Sequence, residues 1–466
     1  MSVSCPRIIV AGTGSGVGKT SVTLALVSAL RKRGLKVQTF KVGPDYLDPT
    51  YLERASGRPC YNLDGWMSSE AYVRHLFSDR AQGADIAVVE GVMGLFDGSD
   101  PVKADGSTAE VAAWLDAPVI LVVNVHGMAR SLSALVYGYA RFDPHVRIAG
   151  VVANQCGSER HGYWLGQSLE AFGLPPVVAA PPRGAFPALP SRHLGLITAD
   201  DRLLPPTVLE QLGNALEHWG SVDSLIRMAS EAPHMETGHP QEKSVQRTEM
   251  VRLGLAHDEA FHFYYPDNLE ALEASGCELI RFSPIHDSGV PERVDGLYIG
   301  GGYPEEYAGA LSANRGMLQS IKDFSDSGKP VYAECGGLML LSQGIETTDG
   351  RRFEMVGLLP GWTRMLDRLR SLGYVEVTLQ DESLFGEPGQ KLRGHEFHYS
   401  VLTDDPCGDD DWRTMYRLQR MRSEESPREG FQHRLTLASY IHVHFASRPE
   451  AVEHFVSICR ESRRQG

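Results

Sequence analysis

Three parts of this 466-residue chain carry side chains whose types and spacing could do chemistry. The first, Ala11-Gly12-Thr13-Gly14-Ser15-Gly16-Val17-Gly18-Lys19-Thr20, follows the apolar run Ile8–Val10 and opens into Ser21-Val22-Thr23-Leu24. Strand, glycine-rich loop and helix start, in that order, turn successive backbone N–H groups inward at the positive end of a helix, where they hold phosphate oxygens. Lys19 adds a point charge for the outer phosphates, and the Thr20 hydroxyl is a ligand for Mg²⁺. Gly12 stands one residue further from Gly18 than in the usual G-x-x-x-x-G-K-[ST] spacing, and Thr13 takes its place. The loop reads as a nucleotide site. The second part is the pair of segments Lys41–Pro49 and Glu90–Gly98, which place Asp45, Asp48, Glu90 and Asp97 just after two further apolar runs. Carboxylates there are hard oxygen ligands for Mg²⁺ or contacts for a substrate. Aspartates ahead of helices also serve as caps and turn formers.

The third part is a set of segments from the second half. Val331-Tyr332-Ala333-Glu334-Cys335-Gly336-Gly337 puts a cysteine between a buried strand and a helix rich in small residues, a strained turn that presents a nucleophile. Gly300-Gly301-Gly302 upstream offers N–H groups that, with the N–H of Gly336, could bind the oxyanion of a tetrahedral intermediate. Tyr440-Ile441-His442-Val443-His444 supplies two candidate bases on one strand face, and alternation alone does not choose between them. Each feature alone has an ordinary structural explanation, a buried core cysteine above all. Together they point to acyl transfer through a thioester, with Cys335 attacking a glutamine side-chain amide and His442 moving protons. Lys391–Ser400, dense in Arg, His and Tyr, suits either a polycarboxylate or a solvated strand edge.

The elements that must position these groups follow a β-α-β rhythm. Strands are expected at Ile8–Val10, Val37–Lys41, Ile86–Glu90, Val119–Asn124, Ile148–Asn154 and Val177–Ala180, with amphipathic stretches such as Ser21–Arg33 and Thr108–Leu115 between them. Near-continuous Val/Ile runs indicate a parallel sheet buried on both faces. Glu231–Glu249 is polar and without apolar period, so it reads as a linker. Patterning resumes at Val251–Ala256, Glu278–Phe282, Gly296–Ile299, Val331–Ala333, Val375–Leu379 and Leu437–His442, a second α/β domain. Asp404–Glu429, rich in charge and turn residues, reads as an exposed excursion.

Composition bounds the function. A net charge of −14 argues against a protein that coats nucleic acid or an anionic membrane. Seven scattered cysteines form no disulfide framework, and no apolar run reaches membrane-span length, so a cytoplasmic enzyme is expected.

A phosphate loop joined to a thiol-based amide-cleaving set resembles the cobyrinic acid a,c-diamide synthases of corrinoid biosynthesis. The resemblance runs from about Arg7 to Glu453 and is carried by Gly12–Thr20, Lys41–Asp48, Glu90–Gly98, Gly300–Glu305, Ala333–Leu338, Arg393–Ser400 and Ser439–Phe445. The longer phosphate loop is also what dethiobiotin synthetase-like ATPases carry. The implied fold is α/β: an N-terminal P-loop-type parallel sheet with helices on both faces over 1–225, a linker over 226–249, and a class I-type glutamine amidotransferase domain over 250–460.

The resemblance implies that ATP and Mg²⁺ activate a substrate carboxylate, while L-glutamine supplies ammonia that displaces phosphate. Gly12, Thr13, Gly14, Gly16, Val17, Gly18, Lys19 and Thr20 would then surround ATP, with Thr20, Asp45 and Glu90 toward the metal. Tyr46, Leu47, Asp48 and Asp97 would face cobyrinate, a tetrapyrrole polycarboxylate. Hydrogenobyrinate or nickel-sirohydrochlorin are alternative substrates, and a homodimer is an allowed assembly. A non-catalytic regulatory member is a further reading, against which stand the intact Lys19, Thr20, Cys335 and His442. One departure from triad amidotransferases is plain. Two residues after His442, where they carry glutamate, stands His444.

Overall fold

The computed structural model describes residues 2–3, 5–189, 191–192, 195–196, 204–236, 250–408, 412–421 and 425–465. The chain divides into two compact units, Met1–Glu242 and Lys243–Gly466.

In the first unit seven strands form one sheet: β1 (Arg7–Gly12), β2 (Val37–Val42), β3 (Tyr61–Leu63), β4 (Ile86–Glu90), β5 (Val119–Asn124), β6 (Ile148–Asn154) and β7 (Val177–Ala179). Every pairing is parallel, in the order β3-β2-β4-β1-β5-β6-β7. The expected strands are all present, and the short edge strand β3 is an addition. Ile8 and Val10 pack in one core and Ile9 and Ala11 in the other, which is why the strands read as unbroken apolar runs. Helices α1 (Lys19–Lys32), α2 (Asp48–Ser56), α3 (Glu70–Arg80), α4 (Thr108–Trp114), α5 (Ser131–Phe142) and α6 (Glu159–Ala171) connect the strands. Two more, α7 (Pro206–Trp219) and α8 (Val222–Ser230), follow β7. β1 lies between β4 and β5, so the chain leaves it toward one side and later returns to the other. That switch opens a crevice beyond the carboxyl ends of β1 and β4, where ligands of such sheets bind.

The interval read as linker begins inside ordered structure. Residues 226–230 belong to α8, and Met235–Glu236 pairs antiparallel with Ser2–Val3. Residues 237–249 lie outside the described residues.

Among the described residues the main sheet of the second unit has ten strands, beside two smaller sheets: β8 (Val251–Ala256), β9 (Cys277–Phe282), β10 (Gly296–Ile299), β11 (Val331–Glu334), β12 (Ser371–Leu379), β13 (Lys391–His398), β14 (Arg413–Arg420), β15 (Arg428–His433), β16 (Thr436–Ser439) and β17 (Ile441–His444). Their order is β9-β8-β10-β11-β16-β15-β14-β12-β13-β17. The first five run parallel and the rest antiparallel. The expected strand Leu437–His442 is split at Tyr440, so that β16 pairs with β11 while β17 pairs with β13. The Val443 N–H donates to Glu334 at 3.2 Å, which brings the last strand of the order back to the end of β11.

Two readings of this half are corrected. Within Asp404–Glu429, β14 is an inner strand paired on both sides, with Trp412, Met415, Tyr416 and Leu418 buried. Its charged residues, such as Arg413 and Arg417, point to solvent between the apolar ones. Lys391–Ser400 is not a solvated edge, although Lys391 is exposed and Arg393, Phe397 and Tyr399 are half-buried. β13 is paired on both sides, and His395, Glu396, His398 and Ser400 are buried.

Candidate active sites

The glycine loop leaves β1 at Gly12 and enters α1 at Lys19. Gly16 and Gly18 have φ of 74° and 98°, a region that costs glycine little. Gly18 caps α1 without a side-chain hydrogen bond, so the first-turn N–H groups are not satisfied by a cap and face the loop. Asn154, at the end of β6, donates to the Val17 carbonyl at 2.8 Å, and Tyr139 donates to Thr13 O at 3.0 Å. Lys19 Nζ donates to the carbonyls of Gly14 and Met93 at 3.0 and 2.5 Å. Burial and the nearby Lys41 hold its pKa below the ordinary lysine range. Thr20 Oγ1 donates to Glu90 Oε1 at 2.7 Å, joining the loop to the end of β4.

Lys41, on β2, is the group that sequence reasoning passed over. Its ammonium is 2.5 Å from Asp48 Oδ2, 3.0 Å from Glu90 Oε1 and 3.7 Å from Asp45 Oδ2. Burial opposes its charge, but these three carboxylates outweigh that and raise its pKa well above the ordinary value. Burial pushes Glu90 up to about 7 and, with Asp48 beside it, Asp45 up to about 6. Burial would raise Asp48 as well, yet contact with Lys41 holds it below its usual value. Asp45 also closes a turn, since its Oδ1 accepts the N–H groups of Leu47 and Asp48 at 2.8 and 3.1 Å. The one signal for Lys41 was a lysine inside an apolar strand, running directly into Gly43-Pro44-Asp45.

The crevice therefore gathers Lys19, Thr20, Asp45, Asp48 and Glu90. Asp97 is turned to its own loop, where it accepts the Gly94 N–H at 2.9 Å, and Tyr46 and Leu47 are half-buried at the entry to α2. Glu90 Oε2 is buried with no hydrogen-bond partner, an orphaned oxygen of the kind a metal or its water would satisfy. Among the described residues no group of three or more His, Cys, Asp and Glu is arranged to hold a metal by itself. Mg²⁺ held by one hydroxyl, one carboxylate and phosphate oxygens needs no such group.

In the second unit Cys335 sits at the turn between β11 and the short helix α9 (Gly336–Leu341) with φ 48° and ψ −97°. A non-glycine residue there stores about 1–3 kcal/mol of strain, held by the packing around it. The Cys335 N–H donates to Ser439 O at 2.7 Å. Gly301 and Gly302 pair with Phe263 and Phe261 and border the cysteine. A Cβ on Gly336 would lie 3.1 Å from the Gly302 nitrogen, and one on Gly301 would lie 2.5 Å from His442 Cε1. Cysteine, glycine triplet and histidine are thus one cluster, and the glycines are what lets the ring approach.

His442 is buried, 1% exposed, and its ring stacks on His395 with centroids 5.0 Å apart. Burial works against a charged ring, but Cys335 and Glu334 hold it up to about 9. His444 turns elsewhere. Its Nε2 lies 3.3 Å from Asp267 Oδ2, and its Nδ1 accepts the Ala446 N–H at 3.3 Å. Among the described residues no helix is long and apolar enough to cross a membrane.

Comparison with known proteins divides the chain in the same way. Residues 8–194 match the model of the CobQ/CobB/MinD/ParA nucleotide binding domain. Residues 252–450 match that of the CobB/CobQ-like glutamine amidotransferase domain. A cobyrinate a,c-diamide synthase of Syntrophotalea carbinolica is 55% identical over 458 residues, 98% of this chain and 99% of the relative. The same-named proteins of Leptospira interrogans and Archaeoglobus fulgidus are 44% and 40% identical, each over 98% of this chain and 99% and 98% of their own. Among solved structures, PurLQS from Thermotoga maritima aligns at 18% identity and TM-score 0.34 over 46% of this chain and 99% of its own. With a nucleotide-binding unit, an amidotransferase unit and relatives alike from end to end, the chain belongs to the cobyrinate a,c-diamide synthase family.

Proposed function

We propose that this chain uses ATP and glutamine to amidate the a and c side-chain carboxylates of cobyrinate, a step of cobalamin biosynthesis. The observation that carries the reading is the full-length similarity to the named synthases, and the groupings around Thr20–Glu90 and Gly301–His442 support it. A carboxylate resists attack by ammonia because its oxygen is a poor leaving group, so it must first be phosphorylated. In the first unit the γ-phosphoryl group passes from ATP to the substrate carboxylate oxygen and ADP leaves. Ammonia then attacks the acyl carbon, the C–O bond breaks and phosphate departs.

The phosphate loop Gly12–Gly18 is assigned to the ATP phosphates, and Lys19 exchanges its carbonyl partners for their outer oxygens. Thr20 and Glu90, with Asp45 beside them, would hold Mg²⁺, which when bound neutralises phosphate charge. Lys41 keeps the converging carboxylates from repelling one another and fixes Glu90 and Asp48 in place. Tyr46, Leu47 and Asp48 stand at the entry of α2 for the macrocycle, and Asp97 orders the loop after β4.

In the second unit His442 takes the Cys335 proton and the sulfur attacks the glutamine amide carbon. The N–H groups at Gly301, Gly302 and Gly336 receive the oxyanion. The C–N bond then breaks, the imidazolium gives its proton to the leaving nitrogen, ammonia departs, and water hydrolyses the thioester to glutamate.

The test is a pair of variants assayed with two nitrogen sources, with products followed by mass spectrometry. Cys335→Ala should be inactive with glutamine and active with ammonium. Lys19→Ala should lose about 10²–10³-fold with both, because phosphorylation precedes amidation in each case. Failure of ammonium to rescue Cys335→Ala, or near-normal ammonium-dependent turnover by Lys19→Ala, would overturn this order of events. Absence of diamide product from cobyrinate, with turnover of hydrogenobyrinate or a sirohydrochlorin, would overturn the substrate.

A further inference from the structure

We propose that Glu334 is the positioning carboxylate of the glutaminase site, completing a Cys335–His442–Glu334 set in which the carboxylate immediately precedes the nucleophile. The proposal rests on the reading of Cys335 and His442 given above. Glu334 Oε2 lies 3.8 Å from His442 Nδ1, and both side chains are buried. No other carboxylate comes as near to His442 among the described ion pairs. Glu334 ends β11, so one backbone step places the sulfur at the strained turn and the carboxylate behind the ring.

The carboxylate is held from three directions. Tyr298 OH donates to Oε2 at 2.9 Å, Tyr332 OH donates to Oε1, and the Val443 N–H donates to Oε1 at 3.2 Å. Three donors on two oxygens is the setting of a side chain that only accepts. Burial and Glu334 itself push both tyrosines well above their ordinary range, so each keeps the hydrogen it donates. The Val443 bond ties the carboxylate to the residue next to His442, so acid and base move together with one strand.

The position two residues after His442 cannot do this work. His444 is engaged by Asp267 and the Ala446 N–H. The remaining ring against His442 is His395, whose Nδ1 pairs with Tyr265 OH at 3.1 Å. Burial and the two neighbouring histidines hold His395 well below its ordinary pKa, so it offers no charge to orient the ring. The titratable groups set against His442 include Cys335, Glu334, a neutral His395 and His398, which burial holds down to about 4 and so leaves without charge. Nδ1 is the ring nitrogen on the Glu334 side, at ion-pair distance and not hydrogen-bond distance, which assigns Nε2 to the thiol proton and sets Glu334 to stabilise the imidazolium that results.

Glu334→Gln and Glu334→Asp in the full chain, beside Cys335→Ala, test this. Readouts are glutaminase kcat and KM, ammonium-dependent amidation by the other unit, and the pH profile of Cys335 alkylation by iodoacetamide, followed on its peptide. Glu334→Gln should lower glutaminase kcat by about 10²–10⁴-fold with KM little changed, because a group that orients the base acts on the chemical step. Its alkylation profile should move to higher pH, and Glu334→Asp should recover part of both. Glutaminase activity of Glu334→Gln within about threefold of the unaltered chain, with Cys335→Ala inactive, would overturn the role of Glu334 alone. Glutaminase activity in Cys335→Ala would overturn the reading beneath it. Should Glu334→Gln fail to fold, a normally melting Glu334→Asp with unmoved kcat and alkylation profile would overturn the proposal equally.

Discussion

Replacing Gly301 with alanine puts a methyl group where the His442 ring now lies. The new Cβ would stand 2.5 Å from His442 Cε1 and 3.4 Å from Nδ1, against 3.4–4 Å for an ordinary contact. Ring or strand must therefore retreat by about 1 Å. Retreat is opposed on the far side, where the ring stacks on His395 at 5.0 Å. The strand behind it is equally confined, since a Cβ on Gly394 would come 2.1 Å from His442 O. A misplacement of about 1 Å in a reacting group costs on the order of 10²-fold in rate. The overpacking itself costs about 1–3 kcal/mol of stability. The assay is glutamate release from glutamine, with ammonium-dependent amidation and a melting curve measured in parallel. Gly344→Ala is the control for crowding, because its Cβ would press Trp362 Cζ3 at 2.3 Å in a separate small sheet. We expect Gly301→Ala to lose glutaminase activity about 10²-fold at a modest loss of stability, and Gly344→Ala to lose stability with far less effect on kcat. Glutaminase activity in Gly301→Ala within about threefold of the unaltered chain would show that the ring does not need its present position.

Three further outcomes follow from the same geometry. His442→Asn should lose far more glutaminase activity than His444→Asn, and the reverse order would move proton transfer to His444. Lys41→Met leaves Asp45, Asp48 and Glu90 without their cation, so it should destabilise by about 3–5 kcal/mol. Urea unfolding followed in the first unit would measure that loss, and an unchanged midpoint would contradict it. Glu429 accepts from Ser439 Oγ and the Tyr440 N–H, and burial pushes its carboxyl from 4.5 up to about 7. A carboxyl raised in the fold contributes stability that is present below pH 4.5 and lost as pH rises through 7. Glu429→Gln should remove up to about 3 kcal/mol of that pH dependence, read as denaturation midpoints at pH 5 and 8.

What the sequence determined by itself is what depends on neighbours along the chain. Arg7–Gly12 had to be a buried strand because both of its faces are apolar, and the glycines up to Gly18 had to turn before Lys19 because only they adopt that backbone cheaply. The cysteine turn at Glu334-Cys335-Gly336 was legible for the same local reason. Tertiary structure decided which distant groups meet. Lys41 finds Glu90 across 49 positions because β2 and β4 are adjacent in register, and a buried cation draws in every carboxylate it can reach. Glu334 reaches Val443, 109 positions away, because the sheet curls until its last strand returns to β11. The strand Arg413–Arg420 was hidden by its charges, although the alternation of Arg417 outward with Tyr416 and Leu418 inward was there to be read. Charge in a sequence tells which side chains want water. It does not tell whether the backbone beneath them is exposed, since a strand with one wet face can still be paired on both edges.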